Sequence, residues 1–387
     1  MVCMRIYLDH NATTPLAPEV GEVMARHWAM FAGNAASAHE EGRGARRLLE
    51  NARREIGRLL GADVDGLHPD LVILTSGGTE SNNLALLGLA GSPPGRVLLS
   101  AIEHPSVLEA GRHLQQAGFD VQHIRVGPDG VLDVSHFTQL LTPQTRLVSV
   151  MLANNETGVM QPIRELADRC ADRRVPLHTD AVQAVGKIPV HFRSLGVAGL
   201  SLSAHKLHGP RGIGALILRA GTPLLPQLHG GSQQHGLRAG TEPVELAMGL
   251  LATLQLWERE AESRRAKLVA LRNRLEDGIQ ERIPTAVIMG QSASRLPHTT
   301  NIAFPGLNRQ ALLMALDQAG IACSTGSACE SGASRPSHVL TAMGCPEEWV
   351  AGALRLSVGC TNTLDEVAEA ARRMGELVRS WIPGRNG

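Results

Sequence analysis

The chain has 387 residues, 43% of them hydrophobic, and 37 Lys+Arg balance 37 Asp+Glu. That is enough apolar mass for one large domain plus a smaller one and too much for disorder. The balanced charge offers no basic face to a nucleic-acid backbone or an anionic membrane. The opening "MVCMRIYLDHNATTP" lacks the apolar core of a signal peptide. No apolar run approaches the ~18 residues of a membrane helix. Six scattered cysteines make no disulfide framework, and Cys323 and Cys329 match no common zinc knuckle. The expectation is a cytoplasmic protein with reduced thiols and no metal site.

From about residue 70 to 220 the chain alternates short apolar runs with helix-like segments. Strands are predicted at 71–76, 96–103, 120–126, 146–154, 175–180, 199–205 and 212–219. Several are nearly continuous Leu, Ile and Val, as in strands buried on both faces of a mostly parallel sheet. Helices are predicted between them at 79–90, 105–117 and 162–173, which makes an α/β layered domain. A long helix follows at 244–282, with Leu268, Leu271, Leu275 and Ile279 on one face; it reads as the bridge to a second domain. Beyond it, a strand at 300–306 and helices at 309–319 and 364–380 suggest a smaller α+β unit.

Ligands of open α/β sheets bind beyond the carboxyl ends of the strands, and those ends carry a consistent set of residues. After 71–76 come Gly77, Gly78, Thr79 and Glu80, leading into a helix. Two glycines and a helix N-terminus can cradle a phosphate; the plainer reading is a tight turn with a Thr cap. The next ends bring His104, then Asn154, Asn155 and Glu156, then Asp180 with Gln183, then Ser203, His205 and Lys206. Each could be a capping residue alone, but together they mark a site. A phosphate pocket, a flat ring, a carboxylate and an amine are what pyridoxal phosphate requires: Lys for the Schiff base and Asp against the pyridinium nitrogen.

Eight strings, "YLDHNATTP", "GGTESNN", "IEHPSV", "LANNETG", "HTDAVQAVGK", "SAHKLHGPRGIG", "LRAGTEP" and "STGSACESGASRPSHVL", then run nearly the length of the chain. In this order they resemble the cysteine desulfurases of the NifS/IscS type, pyridoxal-phosphate enzymes of the class-V aminotransferase group. Selenocysteine lyase belongs to the same group. The resemblance implies the type I fold of these transferases, with a large seven-stranded, mostly parallel sheet flanked by helices. It places a large cofactor-binding domain at 16–260 and a small α+β domain at 1–15 and 261–387.

The resemblance also implies roles. Lys206 would bind the cofactor and later take the substrate α-proton, Asp180 would pair with the ring nitrogen, and Gln183 and Asn155 would hold the ring hydroxyl and nearby substrate groups. His104 would stack on the ring and, as a catalytic residue, move a proton during C–S cleavage. Gly78, Thr79, Ser203 and His205 would hold the phosphate, joined by Thr241 from the other subunit of a homodimer. Arg355 would grip the substrate carboxylate, with Asn34 and Asn155 also on the substrate. Cys329, set among small residues with Gly326 and Gly332 on either side, would attack the substrate sulfur and carry it as a persulfide.

Cys3, Cys170, Cys323 and Cys345 read as buried or incidental. Several positions depart from the family pattern: Ala35, Ala204, Gln234, His235, Arg335, and Cys360, which stands where Arg is common. The resemblance implies L-cysteine or L-selenocysteine as substrate. It also implies a sulfur acceptor, such as an iron–sulfur scaffold or a thiolation relay. A plain aminotransferase and a non-enzymatic cofactor-binding scaffold remain as alternatives.

Overall fold

All seven expected strands lie in one sheet in the computed structural model, which describes residues 5–30, 33–326 and 336–381. In chain order the strands are β1 (Ile6–Tyr7), β2 (Leu71–Thr75), β3 (Arg96–Ser100), β4 (Asp120–Ile124), β5 (Thr145–Ser149) and β6 (Leu177–Asp180). Then come β7 (Gly199–Ser203), β8 (Gly214–Leu218), β9 (Val287–Ile288), β10 (Thr299–Ala303), β11 (Ile321–Ala322) and β12 (Ala353–Ser357). The large sheet has the order β2-β8-β7-β6-β5-β3-β4. Only β8 runs antiparallel to its neighbours β2 and β7. β6, β7 and β8 are buried at every residue, which explains their unbroken apolar sequences. Because β3, β5, β6 and β7 are parallel, their carboxyl ends share one edge, and the polar residues that follow them collect there.

The helices at Gly78–Ala90, Pro105–Gln116 and Ile163–Ala171 match the expected spans within two residues at each end. The long helix differs: it is two helices, Val244–Arg259 and Ala261–Arg282, broken at Glu260. The first is buried on most of its faces through Leu250, Leu251, Leu254, Leu256 and Trp257. It packs on the helices Pro18–Met30 and Glu40–Leu59. The second buries one stripe, Leu268, Leu271, Leu275 and Ile279 with Glu276 and Gly278 beside them, against the terminal helix Leu364–Trp381. One straight helix cannot present a buried cylinder and then a single stripe to differently placed neighbours, so the axis turns. The Glu260 carboxylate, 2.8 Å from Arg264 Nε, secures the start of the second helix.

Beyond the large sheet, β9, β10 and β12 form an antiparallel sheet and β1 pairs with β11. Leu8 N–H donates to Ala322 and Leu8 carbonyl accepts from Ser357 N–H. The N-terminal segment is thereby threaded between β11 and β12. One apolar core joins Leu8, Leu49, Val148, Leu202, Leu268, Ile302 and Leu354. Among the described residues no helix is long and apolar enough to cross a membrane.

Candidate active site

A cavity of about 370 Å³ opens where β2 and β7 end; Thr13, Gly77, Gly78, Thr79, Ser203 and His205 are among its walls. Gly78 begins a helix, so its turn presents backbone N–H groups and the positive end of the helix dipole. A Cβ on Gly78 would lie 2.7 Å from Val182 Cγ2, so the close fit of this turn to the segment after β6 requires glycine. Ser203 Oγ is buried without a hydrogen-bond partner. His205 Nδ1 lies 3.2 Å from Thr13 Oγ1. Burial, with help from Lys206 and Arg211, pushes the His205 imidazole down to about 4, so it is neutral at pH 7. Thr13 was not among the residues expected from sequence.

Next along the edge stands Lys206, in a short turn directly after β7. Its Nζ donates to the carbonyls of Asn11 (2.5 Å) and Ala12 (2.9 Å). Asn11 is the hub of the site. Its carbonyl also accepts from Gln183 Nε2 at 3.2 Å, and its Nδ2 donates to Asn155 carbonyl at 3.1 Å and Thr299 Oγ1 at 2.9 Å. Asp180, at the end of β6, is 6% exposed; Val182 N–H and Asn82 Nδ2 donate to its two oxygens at 2.9 and 2.7 Å. Asn155 Oδ1 is buried with no partner. The preceding Asn154 side chain accepts from Glu156 and Thr157 N–H groups at 2.9 Å and so builds the turn that presents Asn155.

Arg355 comes from β12, its side chain 5% exposed. Its Nη2 is 2.7 Å from Asp9 Oδ1 and its Nη1 donates to Asn155 carbonyl at 3.3 Å, while Nε is buried and unpartnered. The expected carboxylate-gripping arginine is thus already paired, and Asp9 joins the site as its counter-ion. "YLDHNATTP" carried both Asp9 and Asn11, but only the threading of β1 shows why they matter.

His104 caps the helix Pro105–Gln116, its Nδ1 accepting from Ser106 N–H at 3.1 Å. Burial lowers its basicity, against the opposing pull of Asp180. Beside it Glu103 is fully buried, and burial raises its carboxyl well above the usual range. Its backbone carbonyl lies 2.9 Å from His338 Nε2. Glu156 is also buried and raised, chiefly by desolvation, and its Oε2 accepts from Ser337 Oγ at 2.6 Å. Behind the lysine, Lys187 is 5% exposed and donates 2.6 Å to Lys206 carbonyl. Its Nζ lies 5.0 Å from the Trp257 ring, whose Nε1 holds Leu207 carbonyl at 2.7 Å. Two successive carbonyls around the lysine are therefore clamped from behind.

Not every expected residue joins this group. Asn34 is exposed and accepts from Ala36 N–H in its own turn. Thr241 is exposed and does not line the cavity that holds Gly78, Thr79, Ser203 and His205. Cys329 and Arg335 lie outside the described residues, as does Cys3. Cys170 is buried and Cys323 packs against the core; burial pushes both thiols up to about 12. Cys345 and Cys360 are partly buried, and burial raises both thiols, at Cys360 against Arg264, Lys187 and Lys267. Gln234 has a structural role: its side chain accepts from Leu74 N–H (2.7 Å) and donates to Leu74 carbonyl (2.8 Å), completing the open edge of β2.

The class-V aminotransferase model matches residues 6–369. The chain is similar to a cysteine desulfurase of Gluconacetobacter diazotrophicus, 43% identical over 386 residues, covering 97% of this chain and 96% of that one. It is also similar to a solved NifS-like protein, at a TM-score of 0.89 and 33% identity, with 98% and 100% of the two chains covered. A third likeness is to the structure of SspA in complex with cysteine, at a TM-score of 0.80 and 31% identity over 92% of this chain and 99% of that one. With the family model spanning nearly the whole chain and its strand-end residues gathered at one edge, the protein belongs to the class-V aminotransferase family.

Proposed function

We propose that this protein is a cysteine desulfurase, converting L-cysteine and a sulfur acceptor into L-alanine and the acceptor persulfide. The observation that carries the reading is the convergence of Lys206, Asp180, His104 and the Ser203–Gly78 cradle on one sheet edge. Pyridoxal phosphate fits the residues present. Ser203 Oγ and the amides at Gly78 and Thr79 suit its phosphate, Asp180 its ring nitrogen, and the unpartnered Asn155 Oδ1 a polar group of ring or substrate. Bound there, the cofactor supplies an electron sink for the carbanion that forms at the substrate α-carbon.

The rest is the work of this chain's own groups. Lys206 would offer the amine, which is held by two carbonyls, and Asp180 would pair a positive ring nitrogen in a buried place. Arg355 would share its guanidinium between Asp9 and the substrate carboxylate. Cys329 would accept the sulfur. The acceptor, and service of each cradle by Thr241 of a second subunit, belong to the same proposal.

The test is to load the protein with pyridoxal phosphate, add L-cysteine and a thiol reductant to release persulfide sulfur as sulfide, and measure alanine and sulfide beside Cys329→Ala. Both products should appear together and vanish in the variant while its cofactor absorption persists. Alanine from L-selenocysteine alone, in both proteins, would reassign it as a selenocysteine lyase. Keto-acid formation without Cys329 would make it an aminotransferase, and no turnover at all a scaffold.

A further inference from the structure

Two buried residues, Asn82 and Ser106, together join Asp180 to His104. They are 1% and 8% exposed. Asn82 Nδ2 donates to Asp180 Oδ2 at 2.7 Å and to Ser106 Oγ at 2.9 Å, one proton to each. The flipped amide would set Oδ1 against the carboxylate oxygen, acceptor facing acceptor. Asp180 therefore fixes the amide's orientation, even though Oδ1 is left without a partner.

Having accepted from Asn82, Ser106 Oγ directs its own proton to the next acceptor, His104 Nδ1, 2.8 Å away. Ser106 N–H points at the same nitrogen from 3.1 Å, and a backbone N–H can only donate. Two donors aimed at Nδ1 leave no place for a proton on it. The proton of the neutral ring must then sit on Nε2.

We propose that Asn82 and Ser106 are positioning residues that hold His104 as the neutral Nε2–H tautomer, so that it serves the reaction as a hydrogen-bond donor and not as a base. The charged and titratable groups around the ring fit this. Lys206, His338 and Arg355 disfavour an imidazolium, only Asp180 favours one, and burial outweighs it. The catalytic meaning rests on the desulfurase reading above; the tautomer rests on the hydrogen bonds alone.

The test labels histidine nitrogens and records long-range proton–nitrogen correlations of the cofactor-free protein, with His104→Gln identifying the His104 signals. His104 should show a bare Nδ1 and a protonated Nε2. Asn82→Ala and Ser106→Ala should each move its nitrogens toward a mixture of tautomers. The buried His178, held between Ser149 and Ser201 at 2.9 Å on each side, should stay unchanged and so report that the fold persists. In the loaded enzyme the same variants should lower kcat about tenfold at unchanged KM, part of the ~100-fold or more that a positioned proton donor supplies.

A proton on Nδ1 in the unsubstituted protein overturns the proposal, as does an unchanged His104 spectrum in both folded variants. If one variant loses the His178 signals, the other decides. Failure of the unsubstituted protein to release alanine, with the Nε2–H tautomer intact, removes the desulfurase reading and leaves the tautomer lock standing.

Discussion

Lys187 and Lys206 illustrate how single side chains set the chemistry. Lys187 has no carboxylate partner among the described residues, and burial, with the nearby Lys206 and Arg264, pushes its ammonium down to about 7. An unfolded lysine titrates near ~10.4. Between about pH 7 and pH 10 the unfolded chain therefore binds a proton that the folded chain has released, and stability rises with pH through that window. Below it both states are protonated and the full cost of a buried charge is present. Melting temperatures of the unsubstituted protein and Lys187→Met, taken across this range, should show the unsubstituted protein gaining on the variant as pH rises. A constant difference would mean that the amine is not desolvated as the structure has it. Arg355 allows a second test, on the substrate side. A lysine there keeps the charge but cannot serve Asp9, Asn155 and a carboxylate with one planar fork. A hydrogen bond to a charged group is worth about 1.5–3 kcal/mol, so Arg355→Lys should raise KM for L-cysteine roughly ten- to a hundredfold with a smaller change in kcat. An unchanged KM would remove Arg355 from the substrate.

At the scale of elements, the antiparallel β8 wedges the cradle into place. Gly214, its first residue, would put a Cβ 2.8 Å from Gly77 Cα and 2.5 Å from Leu202 carbonyl, both backbone atoms that cannot rotate aside. Gly214→Ala should therefore push the Gly77–Gly78 turn away from Ser203 and cost about 1–3 kcal/mol as overpacking does. Urea unfolding would show the lost stability, and equilibrium dialysis a cofactor that binds more weakly. Full cofactor affinity in a folded variant would show that the turn does not depend on β8. The same region marks what sequence could and could not reveal. The seven strands were legible because Leu/Ile/Val runs such as "GALIL" are buried on both faces, and their parallel order placed His104, Asp180 and Lys206 at one edge. The break at Glu260 was not legible, because the apolar pattern of 244–282 stays helical throughout and only the change of packing partner ends it. Nor was the role of Gln234, whose two hydrogen bonds to Leu74 cross 160 residues of chain.

Across the whole molecule, the gathered residues come from strand ends, which local pattern can locate, and the missed ones come from long-range threading. Asp9, Asn11 and Thr13 reach the site only because β1 pairs with β11, more than 300 residues away. Thr241 poses the opposite problem: it is expected on the phosphate, yet it is exposed and apart from the cradle of its own chain. Its neighbour Glu242 is tied to Arg53, and Arg238 to Glu80 Oε1 at 2.7 Å, so the segment is anchored on both sides of the threonine. Service to the cradle of a second copy, proposed above, would account for a threonine held outside the walls of its own. Mixed dimers test this directly. Lys206→Ala keeps Thr241 but has no amine, and Thr241→Ala keeps the amine but lacks the hydroxyl. If the threonine acts across the interface, a mixed dimer holds one site with both groups intact and one with neither. Each variant alone should show weak or no alanine formation. The two refolded together should regain up to about a quarter of the unsubstituted rate per chain, since half of the dimers from a random mixture are mixed and each has one intact site of two. If Thr241 serves its own chain, no dimer holds both groups in one site, and mixing should return only the average of the two separate rates.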